Sequence, residues 1–195
     1  MNAKLMELLQ KTNGTIIRTD LNANGVSPSA LSSALDKGLI QRVTNGVYVE
    51  VGKFPDEYWY RQRKFSKGVF SHATALVLHD LTDLNPAYFA MTFPRNYHNK
   101  NLSKHYIKGF YIPENKLYLG TEQIKSPNGN ELVVTSLERT LVDIWSPRYS
   151  FDQYLKLDAL KRYLEMPNKK IYRIAILEKE FGKREELRKA MEVLL

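Results

Sequence analysis

The sequence predicts an α+β chain in which a small N-terminal module of helices and a hairpin precedes a mixed α/β part that ends in a helical tail. Three observations carry this. Apolar residues recur at helical spacing near the start, at Leu5, Leu8 and Leu9, and again from Ser150 onward. Between those regions lie β-rich runs bounded by Asn-Gly and Pro-Asn-Gly turn signals. Finally, the segment "SPSALSSALDKGLIQRVTNGVYV", residues 27 to 49, couples a capped helix directly to a hairpin.

The elements follow in order. "NAKLMELLQKT" is a helix that stops at Asn13-Gly14, and "TIIR" is one brief strand. "RTDLNANG" is a short helix, with Thr19 or Asp20 available as N-cap and Gly25 past its end. In the next helix Ser27 is the N-cap and Pro28 suits the first position, where a missing N–H costs nothing. Leu31, Ala34 and Leu35 share one face; Ser29, Ser32, Ser33 and Asp36 share the other. Gly38 ends it, and "LIQRV" and "VYVEV" turn across Thr44-Asn45-Gly46 as a hairpin.

Two short helices joined by a tight turn and followed by a β-ribbon make a winged helix-turn-helix, expected over residues 1–52. That architecture explains an otherwise odd helix face made of serine. A helix entering the major groove must approach closely, and small hydroxyl side chains permit this while donating to or accepting from base edges. The expected contacts are Ser27, Ser29, Ser32, Ser33 and Lys37 on the helix, with Arg42, Thr44 and Asn45 in the hairpin meeting backbone or minor groove. Asp36 fits less well: it either accepts from a cytosine amino group or points away. A module of this shape also serves as a protein-docking fold, which is the competing reading.

The rest of the chain, residues 53–195, is expected to form the second domain. "FPDEYWYRQRKFSKG" is helical after Pro55 and mixes aromatics with Arg61, Arg63, Lys64 and Lys67. "SHATALVLHDL" is a helix with Ser71 as its cap; "YFAMTFP" and "GFYIPENKLYLG" are strand-like, and the basic stretch between them is a loop. "GTEQIKSPNGNELVVT" is a second hairpin, and "SLERTLVDIW" is a helix capped by Ser136. Three helices complete the tail.

Charge points the same way. The formal net charge is +8, which favours polyanions. It is uneven: residues 1–53 carry +2 and residues 61–125 carry +6. Arg61, Arg63, Lys64, Lys67, Arg95, Lys100, Lys104 and Lys108 are therefore expected to add phosphate contacts, each steepening the salt dependence with a slope of about −0.9.

Several classes are disfavoured. The chain has no cysteine, which excludes disulfides and thiolate metal sites. It has no signal-peptide pattern and no apolar run long enough for a bilayer, so a cytoplasmic protein is expected. His72 and His79 stand seven apart, too far for the usual i, i+4 metal pair, and Glu138 and Asp143 lie on different sides of their helix. Arg139 and Asp143 are spaced for a salt bridge. With no Walker loop or nucleophile elbow, no enzyme and no cofactor are expected.

The order of "NGVYV", "SHATALVLHDL" and "VTSLERTLVDIW" resembles the AbiEi-type antitoxins of abortive-infection systems over nearly the whole chain. The resemblance implies a transcriptional repressor that binds inverted repeats in its own promoter through the winged helix. It also implies a second domain serving both repression and antitoxicity, and a nucleotidyltransferase-like toxin countered without a stable complex, in defence against phage. Recognition falls on Ser27 to Lys37 and the wing on Arg42 to Val47. A monomer in solution with two copies on DNA is the expected stoichiometry. Direct neutralisation of a toxin by binding is the alternative.

Overall fold

The protein is described by a computed structural model covering residues 2–195. It is α+β, as the sequence predicts, and forms two compact units: Met1–Ser66 with Lys125–Leu132, and Lys67–Ile124 with Val133–Leu195.

The first unit contains α1 (Ala3–Lys11), β1 (Thr15–Ile17), α2 (Arg18–Ala23), α3 (Pro28–Asp36), β2 (Ile40–Thr44), β3 (Val47–Glu50) and α4 (Glu57–Lys64). The strands form an antiparallel sheet in the order β1-β3-β2, so the brief "TII" strand closes the wing from the far side of β3. Leu5, Leu9, Ile16, Leu21, Ala34, Ile40 and Tyr48 form its core, and Leu31 and Leu35 pack against them from α3. The turn between α2 and α3 needs a left-handed residue, and Gly25 supplies it at φ +65° without a Cβ penalty.

This unit reaches past the boundary the sequence places after residue 52. Asp56, fully buried, caps α4 by accepting from the Trp59 amide, and its own amide donates to Thr15 Oγ1 of β1 at 2.9 Å. Ser126 Oγ and Asn130 Nδ2 also donate to the Asp56 carboxylate. Asn130 further donates to the Thr12 carbonyl at 3.2 Å and accepts from Asn13 Nδ2. One buried carboxylate therefore fastens α4 and the distant 125–132 turn to the end of α1 and the start of β1.

The second unit holds β4 (Val69–Phe70), α5 (His72–Leu78), β5 (Phe89–Pro94), β6 (Ile107–Ile112), β7 (Thr121–Lys125), β8 (Glu131–Thr135), α6 (Leu137–Ile144), α7 (Gln153–Glu165), α8 (Ile171–Phe181) and α9 (Glu185–Leu194), the 125–132 turn excepted. The sheet runs β6-β5-β4-β8-β7. β5 pairs with β4 antiparallel but with β6 parallel, a pairing the long 95–106 connection permits. The strand-like "GFYIPENKLYLG" stops at Ile112, because Pro113 has no N–H to donate; a 3₁₀ turn at Glu114–Lys116 follows. Leu76, Leu141, Ile144, Leu160, Ile174 and Leu187 knit α5 to the helical tail. No helix among the described residues is long and apolar enough to cross a membrane.

Ser71 stands at the N-cap of α5 but makes no cap bond. Its hydroxyl accepts from Thr92 Oγ1 at 2.8 Å and meets His72 Nδ1 at 2.9 Å. His72 is buried, stacked on Phe110 with ring centroids 3.6 Å apart, and held at φ +50°. Holding a residue other than glycine there costs about 1–3 kcal/mol, which the surrounding packing must offset.

Burial, then the charges of Arg139 and Lys108, holds the His72 imidazole well below its ordinary 6.5. Below pH 6.5 the unfolded chain takes up a proton that the folded chain refuses, so stability is full above that value and falls as the pH drops. The slope contributed is at most about 1.4 kcal/mol per pH unit. Urea unfolding at pH 7.5, 6.5 and 5.5 should show this loss. His72→Asn, which tolerates the left-handed backbone, should flatten it; an identical pH profile in the variant contradicts the assignment.

Candidate nucleic-acid interface

The candidate recognition surface is built on α3. Ser27 caps it, its Oγ accepting from the Ala30 amide at 3.2 Å and meeting Ser29 Oγ at 3.0 Å. Pro28 has no N–H, so the Ser29 amide is the one donor of the first turn left by the cap. Ser27, Ser29, Ser32, Ser33, Asp36 and Lys37 are all exposed, while Ala34 on the opposite face is 3% exposed. The helix thus presents hydroxyls on one side and holds the core with the other.

Asp36 does not stand alone at the end of this face. Ser32 Oγ donates toward its carboxylate at 3.5 Å, a weak bond one helical turn away. The acid and one of the recognition hydroxyls are coupled, so contact by Ser32 with an acceptor on a base would mean leaving Asp36.

The wing tip gathers cations from three separate segments. Asn45 and Gly46 form the turn, and a bulge between Arg42 and Thr44 turns Val43 outward. Arg42 Nη2 donates to Asn45 Oδ1 at 2.9 Å, and Lys64 Nζ donates to the Asn45 carbonyl at 3.1 Å. Partial burial lowers the Lys64 ammonium pKa. The Arg18 amide donates to the Gly46 carbonyl at 2.8 Å, which sets the exposed Arg18 side chain beside the same turn. Arg18 was not among the residues the sequence singles out. Its signal was its place, at the first position of the leading helix of a helix-turn-helix, where that helix crosses a phosphate backbone.

Two of the expected phosphate contacts already have partners within the fold. The Arg61 side chain is 6% exposed: it donates to the Glu57 carbonyl at 3.0 Å, pairs with the Glu57 carboxylate at 3.5 Å and lies over the Tyr60 ring. It fixes α4 and is shielded from any phosphate. Arg63 is half-exposed, but its Nη2 is ion-paired with the buried Asp20 carboxylate and its guanidinium lies over the Trp59 ring. Its charge is answered within the fold. Asp20 accordingly is not the cap of α2, whose N-cap, Ile17, makes no side-chain bond.

Lys67, Arg95, Lys100, Lys104 and Lys108 are exposed in the second unit. Arg95, Lys100 and Lys104 lie on the connection between β5 and β6, and Lys108 is on β6, its Nζ 4.9 Å from the Tyr88 ring.

The acids and histidines weighed for catalysis have other partners. Glu138 accepts from Tyr163 Oη at 3.1 Å, and Asp143 is held by Arg139 Nε at 2.9 Å, the expected salt bridge, here fully buried. Burial raises the Asp143 carboxyl pKa, against the pull of Arg139. His79, just past the end of α5, has Nε2 at 2.7 Å from the Thr135 carbonyl. Among the described residues no group of three His, Asp or Glu is placed to hold a metal ion.

Residues 3–51 match the family described as "Transcriptional regulator, AbiEi antitoxin". That span is the winged helix from α1 through β3, and it supports a transcriptional regulator of the toxin–antitoxin kind. No curated protein matches the chain. Its fold is similar to the crystal structure of the RV2827C protein from Mycobacterium tuberculosis, with a TM-score of 0.60 over 98% of this chain and 75% of that one. At 16% identity the likeness is one of fold.

Proposed function

From the premise that residues 3–51 are an AbiEi-type antitoxin regulator module, we propose that the protein represses its own operon by binding inverted repeats in the promoter. α3 enters the major groove with Ser29, Ser32 and Ser33 toward base edges. Arg18, Arg42 and Lys64 hold phosphates or the adjoining minor groove from the wing tip. The observation that carries this is the pairing of an exposed hydroxyl face with a cluster of three cations at the neighbouring hairpin. Two copies occupy the two half-sites, one per repeat.

The second unit adds sequence-independent grip through Lys67, Arg95, Lys100, Lys104 and Lys108, and it carries the antitoxic role. The toxin is a nucleotidyltransferase-like protein, countered in the cytoplasm without a lasting complex and without catalysis by the antitoxin, in defence against phage.

Fluorescence anisotropy with the protein's own promoter fragment tests this. Binding should be at least about 1,000-fold tighter than to a scrambled duplex of equal length, the low end of what specific readout supplies. It should weaken steeply between 50 and 200 mM salt, as about six phosphate contacts require. Equal affinity for both duplexes contradicts sequence-specific repression. Co-purification of the toxin in a stable complex would favour direct neutralisation.

A further inference from the structure

A small cavity in the second unit has a lining that the DNA-binding role does not use. Its volume is about 120 Å³, room for roughly four water molecules at about 30 Å³ each, which suits an oxyanion but not a nucleoside. Three guanidinium groups line it, those of Arg139, Arg148 and Arg184, against the single carboxylate of Asp143. Arg139, Arg184, Asp143 and His72 are all more than nine-tenths buried.

The hydrogen bonds already made show what is left over. Arg139 spends Nε on Asp143 and Nη1 on the Leu119 carbonyl at 2.6 Å, and its guanidinium lies 3.4 Å from the Phe181 ring centroid. Its Nη2 has no hydrogen-bond partner among the described residues. Arg184 is committed to backbone carbonyls, among them Val142 at 2.8 Å, so it contributes charge more than free donors. Thr92 Oγ1 donates to Ser71 Oγ, which leaves the Ser71 proton for His72 Nδ1. In the tautomer in which Ser71 donates to Nδ1, the ring proton sits on Nε2 of a residue that lines the cavity. Arg148, exposed, stands at the same cavity, its Nη1 3.5 Å from the Tyr111 carbonyl and its guanidinium 5.4 Å from the Tyr149 ring centroid.

We propose that this cavity binds a phosphate group, free or as the monoester of a small ligand whose remainder stays outside. Net positive charge, three arginine side chains and a histidine ring at one small cavity, and a volume matched to one oxyanion are what such a group needs, and charge-assisted hydrogen bonds to guanidinium are the strong kind. A cation would face three arginines. An apolar ligand would offer the lining arginines no acceptor. The strained His72 backbone fits this role, since it holds the ring between Ser71 and the cavity. The site is independent of whether α3 meets DNA.

The test is calorimetric titration of the full chain with inorganic phosphate and with adenosine monophosphate, against chloride at matched ionic strength. Arg148→Ala, at an exposed position, should fold normally and weaken binding at least 10-fold. Lys161→Ala, equally exposed and outside the cavity, should leave binding unchanged. The histidine Nε2 resonance should shift on saturation. Binding of phosphate alone assigns the free ion, and comparable or tighter binding of the monophosphate assigns a monoester. Phosphate heats no larger than those of chloride overturn the proposal, and so does equal weakening by the two substitutions.

Discussion

Changing Ser32→Glu and Ser33→Glu together is expected to weaken binding to the promoter fragment by about 100-fold or more, with the thermal melt nearly unchanged. Both residues are exposed on α3 and neither packs in the core. Glutamate is a somewhat better helix former than serine, so the helix is not put at risk. The new Ser32→Glu side chain would sit one turn from Asp36, a like-charge pair that costs a few tenths of a kcal/mol at most. In the groove the change is of another order. Each lost base contact is worth about 1–3 kcal/mol, and two carboxylates are placed among phosphates besides. The paired alanine changes should cost less, because they remove hydrogen bonds without adding charge. Promoter affinity that survives the glutamates would place the DNA on another surface.

The largest stability effect is expected at Asp56. Asp56→Ala should destabilise the first unit by about 3–7 kcal/mol. It removes the α4 cap, worth about 1 kcal/mol, and leaves the buried donors of Ser126 and Asn130 unpaired at about 1–3 kcal/mol each. Asp56→Asn should cost about half as much, since an amide oxygen still accepts. Hydrogen exchange is the sharper readout: the 125–132 turn and the start of α4 should lose protection together. If the turn keeps its protection in the alanine variant, the carboxylate is not what fastens it. Because Lys64 reaches the wing tip from α4, the variant should also weaken DNA binding.

These two sites mark how far the sequence can be read. Ser32 and Ser33 were legible because helical periodicity is local: Ser27-Pro28 starts the helix, Gly38 ends it, and the apolar face is set by Leu31, Ala34 and Leu35. The hairpins were legible for the same reason, since Asn-Gly dictates its own turn. Asp56 was not, because its partners lie 70 and 74 residues further along the chain. The partners of the α4 arginines were hidden in the same way. Beside aromatics they have the look of a phosphate-binding stretch, but Asp20, 43 residues earlier, claims Arg63 and the core claims Arg61. Composition counts a cation without knowing which acid folds against it. Arg18 was hidden by the opposite circumstance: it is unremarkable in sequence and becomes part of the wing only because Gly46 meets its amide. The cavity around His72 needs α5, β5, β6, α6 and the end of α8 assembled before its charges share one space.

The central claim is that the serine face of α3 lies in the groove of the promoter. The chain has no cysteine, so Ser33→Cys introduces a unique thiol on that face. A DNA-cleaving iron chelate attached there should cut the promoter within each inverted repeat, at one cluster of positions per half-site. The same chelate attached through Lys161→Cys, on exposed α7, should not reproduce those cuts. Cleavage from the Ser33→Cys thiol that is uniform along the duplex, or no stronger than from the α7 control, would contradict the account.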